Sequence, residues 1–124
     1  MAGIGTTLQR RVTAALTKYG SGYVYKVGLS TFSATGRLAV LAYGSQTTLF
    51  LRSQTDAWQR PIFYMDLPAT FTVGGSLPQV GDLVSLPSMS DPNGADVDYT
   101  IRRVWRPRIG GVALYTRVYL ALDV

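Results

Sequence analysis

The 124-residue sequence contains no cysteine, no histidine and no glutamate. The absence of cysteine excludes disulfides and thiol nucleophiles, and the absence of histidine removes the side chain most often used as a general base or transition-metal ligand near neutral pH. Among the seven aspartates, only Asp91, Asp96 and Asp98 lie close together, and no Ser-x-x-Lys or Gly-x-Ser-x-Gly motif occurs. We therefore predict that the protein is not an enzyme and holds neither a metal nor a cofactor.

Charge is also scarce, since charged residues make up 15% of the chain and hydrophobic residues 47%. An average soluble domain is about 25% charged, so we expect part of the apolar surface to meet a partner. The net charge is +5 and ten of the twelve basic residues are arginine, which pairs with carboxylate or phosphate through two parallel hydrogen bonds. We expect an acidic partner, no membrane-spanning segment and no signal peptide.

The amino-terminal segment has the spacing of an amphipathic helix. Its apolar positions recur at steps of three and four residues, and Thr6 or Thr7 is a suitable cap. Gly20 stands where a helix usually ends. The pattern predicts a helix over residues 6–19 that packs one stripe on a sheet.

The remainder, residues 23–122, alternates β-branched or aromatic residues with turn clusters. We predict a single domain over residues 1–124, mainly β, forming a small antiparallel β-barrel or sandwich behind the helix. Gly44-Ser45 is a predicted tight turn, and long loops are expected near 53–60 and 87–97. The predicted strands are 23–29, 37–43, 47–52, 61–66, 70–73, 82–86, 98–105 and 112–122.

A basic run follows the second long loop, with a tryptophan inside it. Strict strand alternation would place Ile101, Arg103 and Trp105 on one face and Arg102, Val104 and Arg106 on the other. Three interpretations remain open: salt bridges across a protein interface, contact with a nucleic-acid backbone, and a solvated edge. The candidate interface residues are Arg102, Arg103, Trp105, Arg106, Arg108 and, in the first long loop, Trp58.

The order of these parts resembles the head-closure or head–tail connector (stopper) proteins at the neck of tailed bacteriophages. The resemblance rests on a helix ending in Leu16-Thr17-Lys18-Tyr19-Gly20, on Pro78-Gln79-Val80-Gly81-Asp82-Leu83-Val84, and on Tyr99-Thr100-Ile101-Arg102-Arg103-Val104 running into Gly110-Gly111-Val112-Ala113-Leu114-Tyr115. The loop at 87–97 is longer than the short turn usual in that family.

The resemblance implies a virion protein, assembled in the host cytoplasm, that forms a homo-oligomeric ring around the DNA channel. Its implied partners are the portal or adaptor proteins and the tail-terminator or tail proteins, with non-specific contact to packaged DNA and none to membrane. If the second loop faces the channel, its residues Asp91, Asn93, Asp96 and Asp98 would face the DNA. The alternatives are a tail or baseplate component and a small basic nucleic-acid-binding barrel.

Overall fold

The computed structural model describes residues 3–40, 63–87 and 95–122. The predicted strand at 47–52 and the predicted turn at Gly44-Ser45 lie outside these ranges. The described elements are α1 (Ile4–Tyr19), β1 (Ser21–Val27), β2 (Ser30–Val40), β3 (Phe63–Pro68), β4 (Leu83–Leu86), β5 (Val97–Trp105), β6 (Arg108–Ile109), β7 (Val112–Ala113) and β8 (Tyr115–Leu122).

Six of the strands close into an antiparallel barrel in the order β1-β2-β3-β8-β5-β4, with β4 pairing back onto β1. The short β6 and β7 form a separate hairpin that turns at Gly110-Gly111 between β5 and β8. The prediction of a mainly β fold with one amino-terminal helix is confirmed, and the architecture is a barrel rather than a sandwich. Closure leaves no free edge along these six strands.

The core fills the barrel because apolar residues alternate with polar ones along the strands. Met65 and Leu67 of β3 and Val118 and Leu120 of β8 are fully buried. Aromatic rings complete the packing: Phe63 meets Tyr99 edge to face at 5.4 Å between ring centroids, and Tyr25 meets Phe71 at 5.5 Å. Such pairs contribute about 0.5–1.5 kcal/mol beyond their buried area.

The Gly-Asp turn that precedes β4 is fastened to the barrel by hydrogen bonds. The Tyr25 hydroxyl donates to Asp82 Oδ2 at 2.5 Å, and the same oxygen accepts the Gln79 amide at 3.1 Å. The Gly81 amide donates to the Ile101 carbonyl at 2.9 Å, and the Ile101 amide donates to the Asp82 carbonyl at 2.8 Å. Burial and the bond to Asp82 raise the pKa of Tyr25 well above its usual range, so its hydroxyl remains a donor.

The helix begins at Ile4, two residues before the predicted start. Neither threonine acts as the cap: Gly3 is the N-cap without a side-chain hydrogen bond, and the Thr7 hydroxyl donates to the Gly3 carbonyl inside the first turn. Leu16 is buried, whereas Tyr19, the last residue of the helix, is exposed. Helix α1 contacts β2, β3, β8 and the β6–β7 hairpin, where the Gln9 side-chain amide donates to the Ala113 carbonyl at 2.8 Å.

The strand predicted at 70–73 was wrong. The Phe71 amide donates to the Pro68 carbonyl, so the chain turns directly after β3, and Val73 makes only an isolated bridge with Ser76. Residues 70–73 have the apolar pattern of a strand because the Phe71 ring packs on Tyr25 and Val73 packs in the core. Val73 is buried and Phe71 is partly buried, although neither lies in a strand of the sheet.

Other predicted boundaries also need correction. The strand predicted at 23–29 runs over Ser21–Val27, and the strand predicted at 61–66 ends at Pro68. The strand predicted at 37–43 begins at Ser30, because a turn at Gly28 and Leu29 starts a long β2 whose outward residues are mostly small and polar. The strand predicted at 112–122 is interrupted at Leu114, whose amide donates to the Pro107 carbonyl. The strands predicted at 82–86 and 98–105 agree with β4 and β5 to within one residue.

Close packing of β2 on β3 requires glycine at position 36. A Cβ atom on Gly36 would lie 2.6 Å from the Asp66 carbonyl oxygen and 2.9 Å from Leu67 Cδ2, whereas one on Gly22 would meet open space. We predict that Gly36→Ala lowers the free energy of unfolding by about 1–3 kcal/mol through overpacking. Gly22→Ala, in the adjacent strand, should leave it unchanged or raise it by up to about 1 kcal/mol. Urea denaturation measures both, and equal stability of the two variants would contradict the packing.

Candidate functional site

The basic run lies on β5, where a β-bulge changes which side chains share a face. Ile101 pairs with Leu120 and Arg103 with the next residue, Tyr119, so Arg102 and Arg103 together oppose one residue of β8. Beyond the bulge Val104 pairs with buried Val118 and faces inward, as Ile101 does. The predicted alternation is therefore wrong for this segment: Arg103 and Trp105 face outward, on the side opposite Ile101.

Arg106 has a structural role, because its side chain bonds to other parts of the barrel. Its Nε donates to the hydroxyl of fully buried Thr116 at 3.2 Å, and its Nη2 donates to the Ala69 carbonyl at 2.9 Å. These bonds join the segment after β5 to β8 and to the turn after β3. Arg108, two residues further on, lies exposed on β6.

Arg102 is half-buried at the bulge. Its Nε is buried and has no hydrogen-bond partner within the described ranges. Trp58, Asp91 and Asn93 lie outside the described residues. The four arginines of the run therefore have different positions. Arg102 lies at the bulge and Arg103 faces outward, whereas Arg106 holds the fold and Arg108 is exposed on the hairpin.

Arg117, which was not among the predicted site residues, lies at the centre of an ordered group of side chains on the barrel surface. Its Nε donates to Asp66 Oδ1 at 2.7 Å and its Nη2 to Oδ2 at 3.1 Å. The guanidinium carbon lies 4.2 Å from the Tyr64 ring centroid, 5.4 Å from that of Tyr115 and 5.6 Å from that of Trp105. We call these five residues the aromatic–arginine face: Tyr64, Asp66, Trp105, Tyr115 and Arg117.

Trp105 is the exposed part of this face. Its side chain packs edge to face on Tyr115 at 6.1 Å between centroids, yet 44% of the residue remains exposed to solvent. Hydrogen bonding to Asp66 raises the pKa of Arg117, which stays charged under the three rings. The face is thus an aromatic surface around a fixed, paired cation.

Two further arginines border the face. Arg37 of β2 pairs in register with Asp66 and is exposed, and Arg103 pairs in register with Tyr119. The carboxylate of Asp66 is engaged by Arg117, so the net charge of the bordered face is positive. An acidic group on a partner would find the guanidinium of Arg37 accessible.

The sequence contains one signal for this face. Tyr115, Arg117 and Tyr119 alternate along one strand and must share a side of the sheet. No pattern in the sequence identifies Asp66 as part of this face, because its contact with Arg117 depends on the pairing of β3 with β8.

Asp98 of β5 is part of a hydrogen-bonded group that links β5 to β4 and β1. Ser85 donates its hydroxyl to Asp98 Oδ1 at 2.5 Å, and Lys26 Nζ lies 3.0 Å from the same oxygen. The Ser85 hydroxyl and the Lys26 ammonium lower the pKa of Asp98. Asp98 lies on β5 and is paired, whereas Asp96, in the connection that precedes β5, is exposed.

A groove of about 350 Å³ lies beside this group. Its lining combines serine and threonine hydroxyls and one carboxylate with residues of β1, including Tyr23, with Ala34 of β2 and with the residue after β4. We call it the β1–β4 groove; its lining includes Gly22, Val24, Ser33, Thr35, Ser85, Pro87 and Asp96.

No protein-family model, curated protein or solved structure matches this chain. Within residues 3–40, 63–87 and 95–122, no three acidic side chains are grouped closely enough to hold a metal ion. No helix in the same ranges has the length and apolar character needed to cross a membrane.

The different positions of Arg106 and Arg108 are separable by mutation. We predict that Arg106→Ala lowers the free energy of unfolding by about 1.5–3 kcal/mol, because it removes two charge-assisted hydrogen bonds and leaves buried Thr116 without this partner. Arg108→Ala, the matched control, should change it by less than about 0.5 kcal/mol. Thermal and urea unfolding measure both values. An Arg106→Ala variant as stable as the control would rule out the structural assignment.

The Asp98 group predicts a pH dependence of stability. Because its pKa is lower in the folded than in the unfolded protein, the carboxylate stabilises the fold above the unfolded value, and this contribution is lost as pH falls through the folded value. The stability difference between wild type and Asp98→Asn should be constant above pH about 5 and shrink below pH about 4. Urea titrations from pH 7 to pH 3 measure it, with Asp96→Asn as the charge control. A difference that does not shrink on acidification would contradict this role.

Proposed function

We propose that this protein is a non-catalytic assembly subunit that binds other proteins through the aromatic–arginine face. The observation that carries the proposal is the exposed Trp105 packed against Tyr115 and Arg117. Tryptophan, tyrosine and arginine are the residue types that dominate binding energy in protein interfaces. Here they occur together on one outward side of the barrel.

The geometry of the face also favours binding by reducing its entropic cost. Arg117 is fixed by two hydrogen bonds to Asp66 and by three surrounding rings. An immobilised long side chain otherwise costs about 0.5–1.5 kcal/mol on association. The preferred partner surface has an apolar pocket for Trp105 and an acidic group that reaches Arg37.

The resemblance to neck proteins of tailed bacteriophages suggests the assembly in which this subunit acts. The features on which the resemblance rests are the leading helix, the β-rich body that follows it and the Gly-Asp turn that precedes β4. We propose that the subunit forms a ring between the portal complex and the tail around the DNA channel. Its partners are then further copies, portal or adaptor proteins, and tail-terminator or tail proteins, with non-specific contact to packaged DNA. A tail or baseplate position would use the same face.

Nucleic-acid binding is the second candidate function, favoured by the net charge of +5. A binding groove for single strands offers free aromatic faces on which bases stack. In this barrel the guanidinium of Arg117 occupies a face of the Tyr64 ring, and Arg106 is engaged by Thr116 and Ala69. These contacts favour a protein partner over a nucleic acid.

Mutation of the tryptophan tests the proposal. We predict that Trp105→Ala abolishes concentration-dependent self-association, because truncation of a central interface aromatic typically costs about 2 kcal/mol or more of binding free energy. The control is Leu29→Ala, which removes an even more exposed apolar side chain, from the β1–β2 turn. Sedimentation velocity over a range of concentrations measures assembly, and circular dichroism checks the fold. Assembly of Trp105→Ala at wild-type concentrations would refute the role of this face.

Reversing a charge at the border of the face gives a second test of its role. Arg37→Glu is preferable to reversal at Arg106, because Arg106 holds the fold while Arg37 is exposed. It should weaken association more at low salt than at high salt, since exposed charges are screened. Binding of a mixed-sequence oligonucleotide that weakens in parallel would instead support the nucleic-acid function.

A further inference from the structure

The β1–β4 groove lies on the side of the barrel opposite the aromatic–arginine face. In the closed order β1-β2-β3-β8-β5-β4, strand β1 is three positions from β8 in both directions. The face is centred on β8, which carries Tyr115 and Arg117, and the groove is centred on β1, which carries Gly22 and Val24. The molecule therefore has an exposed aromatic surface on one side and a concave surface on the other.

The chemistry of the groove suits an inserted side chain that is aromatic or cationic. Apart from Tyr23, which packs against the core, its lining side chains are small, and Gly22 has open space where a Cβ would stand. Lys26 and Asp98 beside it neutralise each other, which leaves the exposed Asp96 carboxylate as its unbalanced charge. The volume of about 350 Å³ is at the small end of ligand sites, which run from about 300 to 1,000 Å³.

The aromatic–arginine face has complementary properties. Trp105 is its exposed aromatic residue, and the exposed Arg37 at its border carries a positive charge. We propose that the β1–β4 groove receives the aromatic–arginine face of a second copy of this chain, with Trp105 in the groove and an arginine facing Asp96. This inference rests on the proposed function, and it identifies the partner of the face as the groove of the next subunit.

The positions of the two surfaces determine the type of assembly. A contact between two different surfaces is heterologous, and its repetition leads to a closed ring or to an open filament. Because groove and face lie on opposite sides, each subunit uses both at once. A contact of the face with itself would instead stop at a dimer.

A mixing experiment separates these arrangements. Trp105→Ala removes the protruding residue and keeps the groove, while Gly22→Tyr fills the groove and keeps the face. Gly22 has no positive φ and nothing within 4 Å of a built Cβ, so the fold should tolerate tyrosine, which strands favour. Each variant alone should be monomeric, and an equimolar mixture should form one-to-one dimers and nothing larger, measured by native mass spectrometry. A mixture that stays monomeric would overturn the inference.

The controls distinguish failure of this inference from failure of the proposed function. Gly22→Ala should assemble as wild type does. Asp96→Lys should raise the dissociation constant about tenfold or more, and Asp96→Asn less. If Gly22→Tyr and Asp96→Lys assemble normally while Trp105→Ala does not, the groove is not the partner but the face still binds protein. If Trp105→Ala also assembles normally, or wild type does not associate, both the inference and the proposed function fail.

Discussion

Pairing of β4 with β1 is the interaction on which the rest of the structure depends. Only four residues long, β4 bonds to β1 and to β5 and thereby closes the barrel. The Gly81-Asp82 turn aligns it, because Asp82 accepts the Tyr25 hydroxyl of β1 while its backbone bonds Ile101 of β5. Closure buries the inward residues and fixes which side chains each side of the barrel presents.

The two sides differ because of what the strands carry outward. On β8 and β3 the outward residues are aromatic or charged and support Trp105 and Arg117; on β1 and β2 they include Gly22, Ser33 and Thr35. The bulge at Arg102 is decisive for the first side, since it turns Val104 inward and leaves Trp105 outside. One extra residue in one strand thus places the exposed aromatic residue of the face.

The sequence predicted the helix, most described strands and the fold class, because each depends on local periodicity and turn residues. It did not predict the bulge, since no residue type in Ile101-Arg102-Arg103 requires one and register depends on the partner strand. Arg117 and Asp66 were missed for a related reason: they are 51 residues apart and meet only through the pairing of β3 with β8. Arg106 was assigned to an interface because its bonds to Thr116 and Ala69 are tertiary.

The most direct test of the central claim is the native mass of the wild-type protein, measured by light scattering across protein concentration. The measurement is made with and without a mixed-sequence oligonucleotide, at low and at moderate salt. The account predicts defined oligomers that form as concentration rises and that do not require the oligonucleotide. A monomer at every concentration that binds the oligonucleotide with a steep salt dependence would contradict it and establish the nucleic-acid function instead.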